Sequence, residues 1–139
     1  LMRFVHVTNS RKEAEEAAKR ARYSSRVSLS LRLNYAEFDG IYAEDIASQN
    51  EPSLDEMVEN YIIGDAEHCI EKIIEDHDCM GHSHVLFNVQ LGGIPNERVL
   101  KTIEALGADV IPGVRKELAR RGVQEAIIDQ RSSSESHAA

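Results

Sequence analysis

The chain has 139 residues, a net charge of −8, and 42% hydrophobic and 29% charged residues, enough for one domain with a real core and too little for two. The acidic balance excludes a nucleic-acid footprint, which needs a basic face, and no apolar run reaches membrane-spanning length. Aromatics are 5% and Trp is absent, so Ile, Val, Leu and Ala must build the core; with no signal-peptide stretch, a cytoplasmic protein is expected.

Leu1 with Met2 behind it leads at once into a strand-like run, Arg3-Phe4-Val5-His6-Val7-Thr8, a start that points to a fragment. Asn9 and Ser10 break the run. Ser10-Arg11-Lys12-Glu13 has the spacing of a capping box, in which hydroxyl and carboxylate satisfy helix-start amides reciprocally. Ala14, Ala17, Ala18 and Ala21 follow at helical spacing and predict a small-residue face that packs closely on a sheet.

Residues 28–52 read as irregular, with turn residues at Asn34, Gly40, Asn50 and Pro52. A connection this long is often functional. Its rings, Tyr35, Phe38 and Tyr42, suggest either a lid or a solvated excursion with anchoring side chains. Ser53-Leu54-Asp55-Glu56 repeats the capping-box pattern before a short helix through Asn60 and a brief strand, Tyr61-Ile62-Ile63, ending at Gly64.

Asp65 is placed to cap a second amphipathic helix carrying Ala66, Ile70, Ile73, Ile74 and His77 on one face, with Gly81 as its stop. His84-Val85-Leu86-Phe87-Asn88-Val89 predicts a strand buried on both faces, as in a helix-covered parallel sheet. Gly92-Gly93-Ile94-Pro95 turns the chain into a helix bearing Val99, Leu100, Ile103 and Leu106. Gly107 and Pro112 predict a break or kink before a last helix ending near Gly122. Residues 1–130 form the domain, and the low-complexity run 131–139 reads as a disordered tail.

Three strand–helix units in succession imply an α/β fold with a parallel sheet. Three units fit a small doubly wound sheet or a piece of an eight-stranded barrel, and periodicity does not choose between them.

Particular residues do choose. Tyr61-Ile62-Ile63-Gly64-Asp65-Ala66-Glu67 with Ile70 and Ile73 resembles the penultimate strand and helix of luciferase-like flavin-dependent monooxygenases. His84 to Gln90 resembles the last barrel strand, Leu91-Gly92-Gly93-Ile94-Pro95 the glycine loop after it, and Val110-Ile111-Pro112 the closing segment. Phe4 to Ala14 is similar to the sixth strand and its helix start. The resemblance covers residues 3–120 and implies the C-terminal part, about three βα units, of a (β/α)8 TIM barrel. Asp65-Ala66 departs from the family's small residue and Pro, and its carboxylate is unsuited to binding an anion.

The resemblance further implies oxygen insertion with reduced FMN, supplied by a separate flavin reductase, on a small-molecule substrate. A deazaflavin cofactor for hydride transfer belongs to a variant of the same barrel. The catalytic His and most flavin contacts are expected in the missing N-terminal barrel half. No catalytic residue is therefore assigned here, and the chain alone is expected to be inactive. Its expected partners are that missing half or another copy of itself.

Active sites of such barrels lie at the carboxyl ends of the strands. That rule makes Asn88 and Gln90 candidate hydrogen-bonding partners of a flavin edge, and Gly92 and Gly93 candidate phosphate-approaching backbone. Each also reads as ordinary turn chemistry. His77, Cys79, His82 and His84, with His68 and Cys69 earlier in the chain, match no metal-ligand spacing. No metal is assigned to them, and the cysteines are read as free thiols.

Overall fold

Alternating β-prone residues make Met2–Val7 the first strand, β1, and every other strand of the main sheet aligns on it. The computed structural model describes residues 1–123; the expected tail at 131–139 and the end of the 1–130 domain lie outside the described residues. The remaining elements are α1 (Arg11–Arg32), β2 (Phe38–Asp39), β3 (Tyr42–Ala43), α2 (Leu54–Asn60) and β4 (Ile62–Gly64). After them come α3 (Ala66–Met80), β5 (Leu86–Asn88), α4 (Asn96–Ala105), a π-helical segment (Leu106–Val110) and α5 (Ile111–Arg120).

The sheet is parallel, in the order β4-β1-β5. The two halves of β1 serve different partners. Val5, His6 and Val7 lie opposite Ile62, Ile63 and Gly64, while Met2, Arg3 and Phe4 lie opposite Leu86, Phe87 and Asn88. Where β5 stops short, α4 closes the edge: the Val7 amide donates to the Thr102 hydroxyl at 3.3 Å. A side chain thus satisfies a donor that a neighbouring strand would otherwise take.

Side chains of a strand alternate between faces, and both faces are covered. Ile63 packs with Ala14, Ala17, Ala18 and Ala21 of α1 and with Met57 and Val58 of α2. Its neighbour Ile62 packs with Val5, with Cys69 and Ile73 of α3, and with Leu106 and Val110 beyond α4. Burying an Ile side chain stabilises by about 1.5–3 kcal/mol.

The α/β class and the parallel sheet are as the sequence implies, but the strand order is not that of three successive barrel strands. In a barrel the middle strand of the three in sequence is also the middle strand in space, and the helices all lie outside. Here the first strand is central and helices lie on both faces, the layering of a doubly wound sheet. Phe87 and Val89 pack against the core clusters, so the β5 side of the sheet is covered as well.

Three local expectations also change. First, α1 runs on to Arg32, through residues read as irregular. Its stop is Asn34 in the left-handed region (φ 60°), with Tyr35 N–H donating to the Ser30 carbonyl and Asn34 N–H to that of Leu31, a Schellman closure. Second, the expected long strand at 84–89 shrinks to three residues, and Leu86 is 65% exposed. As an edge strand it has only the first half of β1 to pair with. Third, the interruption expected at Gly107 and Pro112 takes the form of a π-helical segment, Leu106–Val110, between α4 and α5. This π-helical segment shifts the hydrogen-bond ladder just before Pro112, at the point where its missing N–H would leave a gap.

Other signals hold. Ser53 and Glu56 form the full capping box, Asp65 accepts from the His68 amide at 2.9 Å, and Gly81 closes α3 with φ 60°. At Ser10 only half the box forms: its hydroxyl accepts from the Glu13 amide, while the Glu13 carboxylate turns away to Thr8 and Arg98. Arg3 clamps Asp76 through two hydrogen bonds, at 2.7 and 2.9 Å, tying β1 to α3 and holding that carboxyl below its usual range.

Candidate functional site

In an open parallel sheet, ligands bind outside the carboxyl ends of the strands, where successive connections leave on opposite faces. Here β1 connects outward to β4 over one face, and β4 connects back across β1 to β5 over the other. The reversal point is the β1–β5 boundary. Two cavities flank the end of β1. One, about 270 Å³, opens toward β4 and is lined by Thr8, Ser10, Gly64, Asp65 and His68. The other, about 420 Å³, lies at the reversal point between β1 and α4.

The second cavity has charged and polar walls: His6, Thr8, Glu13, Glu97, Arg98 and Lys101. His6 is only 1% exposed. Its Nδ1 lies 3.2 Å from the Thr102 hydroxyl oxygen, which also accepts the Val7 amide. Among the described residues Nδ1 is the one acceptor that the Thr102 hydroxyl proton meets, so that proton is assigned to Nδ1 and the imidazole proton to Nε2. Nε2 has no hydrogen-bond partner. Burial pushes the imidazole pKa down, and Arg98 acts in the same direction against Glu13 and Glu16, so the ring is neutral at pH 7.

Arg98 is fixed from the other side. Its guanidinium reaches Glu16 at 2.8 Å and Glu13 at 3.5 Å, and Glu13 also takes the Thr8 hydroxyl at 2.9 Å. Lys101 pairs with Glu97 at 3.0 Å on the surface. Helix α4 begins at Pro95 with no side-chain cap, which leaves its first amides to solvent or a ligand.

The residues singled out from the sequence do not gather at either cavity. Asn88 ends β5 half-buried opposite Phe4, and Gln90, Gly92 and Gly93 are exposed. None of the four lines the two cavities. Gly93 is required by its φ of +85°, and the Arg20 guanidinium packs over it, its carbon 2.9 Å from where an added Cβ would stand. Leu91 and Ile94 are buried in the core beneath α1, so the glycine pair is a pinned turn.

The aromatic excursion does not line them either. Phe38 and Tyr42 are exposed on the β2–β3 hairpin, which Tyr23 ties to α1 by donating to the Ala43 carbonyl at 3.0 Å. Arg26 anchors the following segment through a two-pronged pair with Glu51, both contacts 2.7 Å.

His77, His82 and His84 line a separate cavity of about 310 Å³ between α3 and α5. Their contacts are local: the His77 and His82 rings meet edge to face at 5.8 Å, and His84 Nδ1 lies 2.8 Å from the Ser83 hydroxyl. Among the described residues no three metal-ligating side chains come together. Both cysteines are free; Cys79 is exposed, and burial pushes the Cys69 thiol up to about 12, which makes it unreactive.

The residues missed by sequence reading are His6, Thr102, Arg98 and Lys101. Two left a trace: His6 interrupts an apolar strand, and Thr102 sits on the same helix face as Val99 and Leu106.

Over 121 residues, 86% of the chain, the sequence is 27% identical to the uncharacterized protein y4vJ of Sinorhizobium fredii. The chain spans about a third (34%) of that relative's length. No family model matches the chain, and no solved structure does. Among the described residues no helix is long and apolar enough to cross a membrane.

Proposed function

We propose that this chain is the C-terminal part of a luciferase-like flavin-dependent monooxygenase, which inserts oxygen into a small molecule using reduced FMN. The observation that carries the reading is the succession of strand–helix units at 2–7, 62–64 and 86–88, all parallel, with the carboxyl ends of the first two opening on cavities. Those are the positions at which the family resemblance puts its last three strands. The chain's match to a third of a longer relative agrees with a part that works within a larger protein.

In this reading the rest of the protein brings the catalytic residues, most flavin contacts and the remaining barrel strands. A reductase supplies the reduced flavin. Barrel closure requires residues 86–88 to leave Met2–Phe4 and pair with 62–64. A deazaflavin enzyme of the same barrel type, moving hydride, is the nearest variant.

The strand order favours a second reading, a self-covered α/β module that assembles with another chain or a second copy. Its two outer strand edges, on β4 and β5, are where pairing would occur.

Titrating FMN into the isolated chain and into the longer protein, followed by flavin fluorescence, separates these readings. The longer protein is expected to bind FMN stoichiometrically at micromolar concentration, on the order of 10⁻⁶ M, and the isolated chain is not. If neither binds FMN or a deazaflavin, the flavin reading fails.

A further inference from the structure

We propose that the cavity at the β1–α4 boundary binds an oxyanion, the phosphate or carboxylate group of a small molecule. The inference concerns the chain as folded here and does not rest on the flavin reading.

The argument is a count of what each wall group has left to offer. His6 is 1% exposed, and its Nδ1 is taken by Thr102. What remains is Nε2, a buried nitrogen without a partner among the described residues and a donor in the assigned tautomer. An unmatched buried donor costs free energy, and an incoming acceptor removes that cost. Glu13 and Glu16 are both committed to Arg98, and Glu13 to Thr8 as well. The carboxylates of Glu13 and Glu16 are thus already neutralised by Arg98, whereas Nε2 is unmatched.

The groups that can change partners are Lys101, Glu97 and the first amides of α4. Among the described residues Lys101 is held only by Glu97, in a pair whose side chains are 68% and 80% exposed. Such a pair contributes little and exchanges readily. The ten-residue helix α4 begins beside the cavity at Pro95 with no side-chain cap, so its first turn presents amides and the positive end of its dipole. Glu97 in that first turn opposes an anion until it swings into solvent. At about 420 Å³ the cavity holds a small organic molecule as well as its charged group.

The test is ¹⁵N NMR of the histidine side chains in the full chain at pH 7.5, titrated with inorganic phosphate and separately with acetate. His6→Gln identifies the His6 signals. The expected result is a saturable shift of the His6 Nε2 resonance on the order of 10 mM ligand or below. Lys101→Met, at an exposed position, should weaken it about fivefold, the size of one charge near a helix start. Tighter binding of phosphate assigns a phosphate ligand, and tighter binding of acetate a carboxylate. An unmoved His6 signal, or a shift matched by chloride at equal ionic strength, overturns the proposal. Should His6→Gln fold poorly, replacing each of the other five histidines by Gln assigns the His6 signal by elimination.

Discussion

Ile62→Ala and Ile63→Ala are each expected to destabilise the chain by about 2–5 kcal/mol, the range for emptying a buried Ile site. Both residues are 1% exposed, yet they belong to different core clusters. Adjacent residues of one strand point to opposite faces, so the pair reports on both layers at once. Stability of ordinary domains is only about 5–15 kcal/mol, and either change removes a large share of it. Urea unfolding followed by circular dichroism measures both. A large loss at one position with under about 0.5 kcal/mol at the other, the level of a surface change, would mean that one face of the sheet lies open.

Ala18→Leu should cost about 1–3 kcal/mol through overpacking. The helix gains nothing from keeping alanine there beyond a small propensity difference. The cost comes from space: Ala14, Ala17, Ala18 and Ala21 are at most 4% exposed, with α1 packed closely over Ile63 and the Leu91–Ile94 turn. Lys19→Leu, one residue along on the exposed side, is the control and should shift stability by less than about 0.5 kcal/mol. Equal effects at the two positions would contradict the assigned helix face.

What could be read in advance was mostly local. Ser53, Asp65, Gly81 and Gly122 punctuate the helices where their chemistry requires, because each such signal acts within a few residues of itself. The end of α1 was readable too, at Asn34, but only by treating Asn as a left-handed stop. What escaped depends on distant partners. Residues 84–89 are apolar enough for a long strand, yet strand length is set by which neighbour offers backbone groups, and β1 offers only Met2–Phe4. The same limit explains the site. Thr102 lies 96 residues from His6, and neither residue signals a ligand until the fold stacks α4 against the end of β1. Gly92 and Gly93 show the reverse case, a suggestive local pattern that Arg20 and the core employ as a turn.

The account turns on β1 being the central strand, because that order creates the reversal point and brings α4 to His6. The direct measurement is an interstrand proton NOE map of the chain in solution. Contacts of Arg3 and Phe4 with Phe87 and Asn88, together with contacts of Val5 and His6 with Ile62 and Ile63, are the predicted result. Contacts joining Ile62 or Ile63 to Phe87 across a shared strand edge, with none from Arg3, would put 62–64 in the middle and contradict the account.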